Sequence, residues 1–283
     1  MNTIPYFDLD GTGQPLHFLH ANGYPPACYK PLFELLRMEY HVFGMLLRPL
    51  WAEAKPEEID DWHFFSEDLH VFLSAYSFEG KTLSEPVIGV GHSIGAIVTL
   101  RAALRYPGKF RALVLLDPVL HVPEQLVEWR DQREKDPMSH PLIQRAQTRR
   151  RTFSDLETVF KGYRKRDVFR YLSDENLRIH IEGITRKTET GYELIYSPEW
   201  ETRIYFTSMQ DFDIWNSLHN LRIPTLYIRG DETDTFLEDA AKLVKQKQSD
   251  ARIEVVEKST HIFPMERPKE VSEIMQIFFK EVL

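Results

Sequence analysis

Within Gly91-His92-Ser93-Ile94-Gly95 a serine stands between two glycines. A short apolar run, Val87 to Val90, precedes it behind Pro86, and Ile94 to Tyr106 carries a helical pattern that stops at Pro107-Gly108. A strand passing directly into a helix leaves room only for a sharp turn. A serine at its apex is held in strained backbone geometry, with its hydroxyl pushed out of the sheet. Glycines on either side remove side chains that would collide there, and Gly89 and Ala96 add small residues where strand and helix pack. The helix N-terminus at Ile94 aims free N–H groups at any developing oxyanion. The chemistry this suits is nucleophilic attack on a carbonyl. It requires a base, and the base requires an orienting acid.

The expected chain order is Ser, Asp, His. His261 follows the apolar run ending near Val256, in Ser-Thr-His-Ile-Phe-Pro, where a loop from the last strand can return to the serine. Asp234 is the expected acid. It ends Arg229-Gly-Asp-Glu-Thr-Asp, just after the predicted strand Thr225 to Ile228, and Asp231 and Glu232 share its loop. Asp117, at the tip of the strand Ala112 to Leu116, is the next candidate; its plainer reading is a strand-end turn before Pro118.

These residues need a sheet to hold them. Short apolar runs alternate with helical stretches, which predicts an α/β fold with a mostly parallel central sheet flanked by helices. A strand at Ile4 to Asp8 and a run at Leu16 to Leu19 flank Asp10-Gly11-Thr12-Gly13, which reads as a hairpin turn. Val42 to Leu47 and Ile253 to Val256 are further strands. Pro31 to Glu39, Asp60 to Tyr76 and Pro268 to Val282 are helices. Between Asp117 and about Leu221 the strand rhythm gives way to helical patterns, with a capping box at Ser154-Asp-Leu-Glu157. Residues 1–117 and 222–283 are therefore expected to form the core, and residues 118–221 a helical insertion over the end of the sheet.

His20-Ala21-Asn22-Gly23-Tyr24-Pro25 follows the Leu16 to Leu19 strand and forms a loop beside the serine turn. With this loop, the chain resembles the α/β-hydrolase superfamily, in particular its lidded esterase and lipase-like members. The elbow, the Asp-Pro strand end, the Arg-Gly-x-x-Thr-Asp loop and the Thr-His-x-Phe-Pro loop occur in the superfamily order, and the insertion falls where that family carries its lid. In such proteins a His-Gly-aromatic-Pro loop supplies an oxyanion N–H from the residue after the glycine. Aligning on Gly23-Tyr24-Pro25 implies the N–H of Tyr24, beside that of Ile94. Ala21-Asn22 separates the histidine from the glycine, however, and aligning on His20 implicates Asn22. The resemblance implies a serine hydrolase of carboxylic esters or related acyl substrates with the triad Ser93, Asp234 and His261, and no metal or organic cofactor. Carbon–carbon bond hydrolases, thioesterases, lactonases and perhydrolases share that triad.

Composition narrows the alternatives. At 42% hydrophobic and 28% charged residues the chain is neither disordered nor a coiled coil. The formal charge of −8 argues against nucleic acid as a partner, and no apolar run reaches the roughly 18 residues of a membrane span. Cys28 is the single cysteine and the first ten residues lack a basic n-region, so a cytoplasmic home and a small-molecule acyl substrate are expected. Phe7-Asp8-Leu9-Asp10-Gly11-Thr12 looks like the first motif of haloacid-dehalogenase-type, magnesium-dependent phosphatases. Pro5, Gly13 and the spacing of the aspartates Asp231 and Asp234 count against it. A non-catalytic receptor on the same fold would have no use for so complete a triad. Residues 145–187 hold 12 Lys or Arg against 6 Asp or Glu, which reads as the solvated face of lid helices around Arg149-Arg150-Arg151 and Lys161 to Arg166. Trp129, Phe153, Phe160 and Tyr163 read as the core of that lid.

Overall fold

The central sheet has seven strands in the computed structural model, which describes residues 4–78, 81–83 and 85–283. In chain order the strands of the first half are β1 (Tyr6–Asp8), β2 (Gln14–Leu19), β3 (Tyr40–Met45), the small pair β4 (Ser77–Phe78) and β5 (Lys81–Thr82), β6 (Val87–His92) and β7 (Phe110–Leu116). Three short strands follow, β8 (Thr152–Phe153), β9 (Thr185–Thr188) and β10 (Gly191–Leu194), before β11 (Thr225–Gly230) and β12 (Arg252–Val256). The main sheet runs β1-β3-β2-β6-β7-β11-β12. Only β1 is antiparallel to its neighbour. This is the mostly parallel α/β sheet expected from the alternating pattern.

Helices α1 (Lys30–Leu36), α2 (His63–Ala75) and α3 (Ile94–Arg105) connect the first strands. After β11 come α10 (Glu238–Lys247), α11 (Phe263–Glu266) and α12 (Pro268–Val282), while α4 (Pro123–Lys135), α5 (Pro141–Gln147), α6 (Leu156–Arg164), α7 (Asp174–Ile184), α8 (Pro198–Phe206) and α9 (Phe212–Ser217) lie between β7 and β11. Alternation along each strand splits the core between the two sheet faces. On β7, Leu113 and Leu115 join the side packed by α2 and α3, whereas Ala112, Val114 and Leu116 join the side packed by α1 and α12. Helix α12 buries Val271, Met275, Phe278 and Phe279, a stripe at helical spacing that seals this second side.

Three expectations about local structure need correction. The Asp10-Gly11 turn does not close a hairpin: β1 pairs with β3, and β3 lies between β1 and β2. Backbone pairing with β3 continues past β1, through Leu9 N to Val42 O. At Gly13 a Cβ would lie 1.7 Å from the Glu39 carbonyl, so its glycine serves a crossing over the start of β3. The cap of α6 is Asp155, whose carboxylate accepts from Thr158 N, and not Ser154, whose hydroxyl donates to Asp155. The inserted segment is also not purely helical, because β8, β10 and β9 form an antiparallel sheet. The β9–β10 hairpin turns at Glu189-Thr190, which lacks the Asn-Gly or Asp-Gly signature.

The inserted segment is tied to the elbow helix by buried charge. Arg101 on α3 donates from Nη2 to Asp211 Oδ1 at 2.5 Å and from Nε to Asp213 Oδ2 at 2.8 Å. Arg101 and Asp211 are each 1% exposed. Substituting Arg101→Leu leaves Asp211 as an unpaired buried charge and is expected to lower unfolding free energy by about 3–5 kcal/mol. Arg101→Leu with Asp211→Leu should recover much of that loss, both read by denaturant titration.

Candidate active site

The turn between β6 and α3 holds Ser93 at φ 58° and ψ −120°, a left-handed conformation that costs a non-glycine residue on the order of 1–3 kcal/mol. The surroundings enforce it. Ser93 N donates to Leu116 O on β7 at 2.9 Å. A Cβ at Gly91 would lie 2.3 Å from the Gly95 carbonyl, and one at Gly95 would lie 2.1 Å from the Leu19 carbonyl. Both glycines are therefore steric requirements of the turn.

His261 sits on the loop between β12 and α11, with Nε2 3.0 Å from Ser93 Oγ. Its Nδ1 lies 2.6 Å from Oδ2 of Asp117, the residue that directly follows β7. Asp117 is fully buried and also takes up a positive φ, 41°. Its N–H donates to Ile228 O, and Oδ2 accepts from the Thr233 hydroxyl at 2.5 Å. Asp234, the acid expected from sequence, is exposed and its carboxylate accepts from the neighbouring Thr235 hydroxyl. The reason for the exchange is geometric. Strand β7 adjoins both β6 and β11, so a residue at its very end meets the histidine directly, while the loop after β11 turns Thr233 inward and Asp234 outward. Burial lowers the His261 pKa, but the hydrogen bond and charge of Asp117 outweigh it, and the net shift is above the usual imidazole value.

The loop that follows β2 bears on the choice between Tyr24 and Asn22. Tyr24 N–H donates to Ala21 O at 3.3 Å, closing a four-residue turn in which Gly23 has φ 74°. That amide is occupied within the turn. The N–H of Asn22 has no partner among the described residues, which favours the alignment on His20. The histidine pins this loop, donating from Nδ1 to Ala21 O at 2.9 Å while Nε2 accepts the N–H of Leu47 at 3.1 Å. Ile94 opens α3 as anticipated, so its N–H belongs to the first turn and has no intrahelical acceptor.

Above this loop the inserted segment closes in. Arg149 donates to Glu201 Oε2 at 2.5 Å and to the Tyr163 hydroxyl at 2.7 Å, and a Cβ on Gly23 would lie 3.7 Å from Arg149 Nη1. The arginine run is thus not uniformly a solvated face: Arg150 and Arg151 are exposed, but Arg149 is turned inward. Trp129 and Tyr163 are buried, and Phe153 and Phe160 half-buried, within the insertion. Ser93 itself is 6% exposed. The phosphatase-like aspartates cannot act together, because Asp8 on β1 and Asp231 after β11 have four strands between them, about 24 Å at roughly 4.8 Å per strand.

Comparison with known proteins agrees with this architecture. The model of the alpha/beta hydrolase family matches residues 18–274. The chain belongs to that family. Among curated relatives, this alpha/beta hydrolase is 21% identical over 285 residues to (E)-2-((N-methylformamido)methylene)succinate hydrolase of Acinetobacter baylyi, covering 98% of this chain and 94% of the relative. It is 23% identical to a proline iminopeptidase of Saccharolobus solfataricus over 70% of this chain and 64% of that one. Among solved structures, E-2-(acetamidomethylene)succinate hydrolase superimposes with a TM-score of 0.80 at 18% identity, covering 98% of this chain and 95% of that one. A thermophilic esterase from Thermogutta terrifontis gives 0.66 at 18% identity, covering 99% and 93%. Among the described residues of the hydrolase, no helix is long and apolar enough to cross a membrane.

Proposed function

We propose that this alpha/beta hydrolase is a serine hydrolase that cleaves a carboxylic ester or related acyl substrate through an acyl-enzyme on Ser93. The observation that carries the reading is the continuous line from Ser93 Oγ through both ring nitrogens of His261 to Asp117 Oδ2, at 3.0 and 2.6 Å. In the resting state the serine hydroxyl donates to Nε2 and the Nδ1–H donates to the carboxylate. Ser93 Oγ attacks the carbonyl carbon as Nε2 takes its proton. The carbonyl electron pair becomes an oxyanion, which the N–H groups of Ile94 and Asn22 receive. Collapse of the tetrahedral intermediate expels the leaving group, which takes the proton from His261. Water, deprotonated by the same nitrogen, then attacks the acyl-enzyme and releases the acid. Asp117 fixes the tautomer and stabilises the imidazolium. Residues 118–221 act as a lid that keeps bulk water from Ser93.

A second reading has its own support. Two of the relatives aligned over nearly the full chain are hydrolases of methylenesuccinates bearing an amide nitrogen, and a polar pair, Arg149 and Glu201, roofs the oxyanion loop. Under this reading the scissile bond belongs to a polar, carboxylate-bearing amide instead of an apolar ester. The two separate in a turnover panel of short and medium 4-nitrophenyl esters, acyl-CoA thioesters and N-acylaminomethylene succinates. The ester reading predicts the highest kcat/KM on an ester, abolished in Ser93→Ala. Turnover that survives Ser93→Ala would refute both.

A further inference from the structure

His92, the residue before the nucleophile, is fully buried and makes two hydrogen bonds, each toward a different part of the site. Its Nε2 lies 2.9 Å from the backbone carbonyl of His261, and its Nδ1 lies 2.7 Å from the Tyr29 hydroxyl. The carbonyl can only accept, so Nε2 carries the proton and Nδ1 is the acceptor. Tyr29 must then donate its single proton to Nδ1, which leaves its oxygen free to accept the N–H of Ala21 at 3.1 Å. Every direction in the chain is therefore fixed: Ala21 N–H to Tyr29, Tyr29 O–H to His92, His92 N–H to the His261 carbonyl.

Both side chains remain neutral along this line. Burial and the neighbouring His261 push the His92 imidazole well below its ordinary value, and burial holds the Tyr29 hydroxyl well above its own. The tautomer consequently does not change across ordinary working pH. The two ends of the chain are backbone groups of the loops that must hold their separation during reaction. Ala21 precedes Asn22, whose N–H makes no hydrogen bond among the described residues, and His261 is the base. Ring packing supports the arrangement, with His92 5.0 Å from the His261 ring and 5.7 Å edge-on to Tyr29.

Resting on the acyl-transfer reading, we propose that His92 and Tyr29 are positioning residues, a hydrogen-bonded strut that sets the distance between the oxyanion loop and the catalytic imidazole. Neither touches the reacting atoms. Misplacement of a reacting group by about 1 Å is enough to cost 10²-fold in rate.

The test is a double-mutant cycle on 4-nitrophenyl acetate, with fluorophosphonate labelling of Ser93 in the unsubstituted protein run first. Tyr29→Phe keeps the ring and removes the hydroxyl. His92→Phe removes both contacts, and His92→Gln restores an N–H at the position of Nε2. Expected are kcat losses of about 10-fold for Tyr29→Phe and about 10- to 100-fold for His92→Phe, with KM within about twofold. Partial recovery is expected in His92→Gln. The double variant should be no slower than His92→Phe, because one missing link already opens the strut. Folded variants with unchanged kcat, or two losses that simply multiply, would overturn the proposal. Should His92→Phe not fold, Tyr29→Phe and His92→Gln carry the comparison. If the unsubstituted protein neither labels nor turns over the ester, the acyl-transfer reading fails and the strut fails with it; normal labelling with indifferent variants defeats the strut alone.

Discussion

Asp117→Asn is expected to lower kcat by about 10⁴-fold while leaving the fold intact. The carboxylate meets His261 Nδ1 at 2.6 Å and the Thr233 hydroxyl at 2.5 Å through the same oxygen. An asparagine cannot hold the Nδ1–H tautomer by charge, and the amide nitrogen facing the ring would select the opposite tautomer, which presents N–H to Ser93. Asp234→Asn should change kcat by less than about threefold, since Asp234 is exposed and reaches His261 only through a screened charge. The pH profile adds a second signature. His261 must be neutral to act as base, and its pKa lies above the usual 6.5 because Asp117 outweighs burial. In the unsubstituted protein kcat/KM should therefore rise with pH through a midpoint above 6.5. Residual activity of Asp117→Asn should show that midpoint moved to lower pH, because the group that raises it is gone. A large loss in Asp234→Asn with little loss in Asp117→Asn would reverse the assignment.

Ser93→Ala and His261→Ala should each cost about 10⁵- to 10⁶-fold in kcat, and the double substitution should cost no more than either alone. Nucleophile and base act as one device: without the base the serine is not activated, and without the serine the base has nothing to deprotonate. Any residual rate would come from the oxyanion N–H groups and substrate positioning, and would depend on the loop at Asn22. If the two losses multiplied, Ser93 and His261 would be serving separate steps. With Ser93 6% exposed, a small ester is the substrate of choice for this comparison.

How far the sequence carried these conclusions differs from residue to residue. The elbow was legible because its requirements are local: Gly91 and Gly95 are forced by backbone atoms 2.3 and 2.1 Å from a would-be Cβ, and a strand before and a helix after can be read independently. His261 was legible from its place after the final strand. The carboxylate that meets its Nδ1 was not, because Thr233 and Asp234 are adjacent and which one faces inward depends on how two neighbouring strand ends meet. One signal did point to Asp117: it follows the unbroken run of β7 with no intervening loop, directly before Pro118. The Asp10-Gly11 turn misled for a related reason, since glycine marks tight geometry without saying whether a hairpin or a crossing demands it. The choice between Tyr24 and Asn22 was open in the sequence because the irregular His-Ala-Asn-Gly spacing allows two alignments. The small sheet of the insertion has strands too short for alternation to stand out.

The most direct test of the proposed triad is the rate at which a small fluorophosphonate labels the protein, compared across the unsubstituted enzyme and the Ser93→Ala, Asp117→Asn and Asp234→Asn variants, with the site read by peptide mass spectrometry. The account predicts rapid modification of Ser93, none in Ser93→Ala, strongly slowed labelling in Asp117→Asn and near-normal labelling in Asp234→Asn. Modification at another residue, or labelling of Ser93 that is indifferent to Asp117, would contradict it.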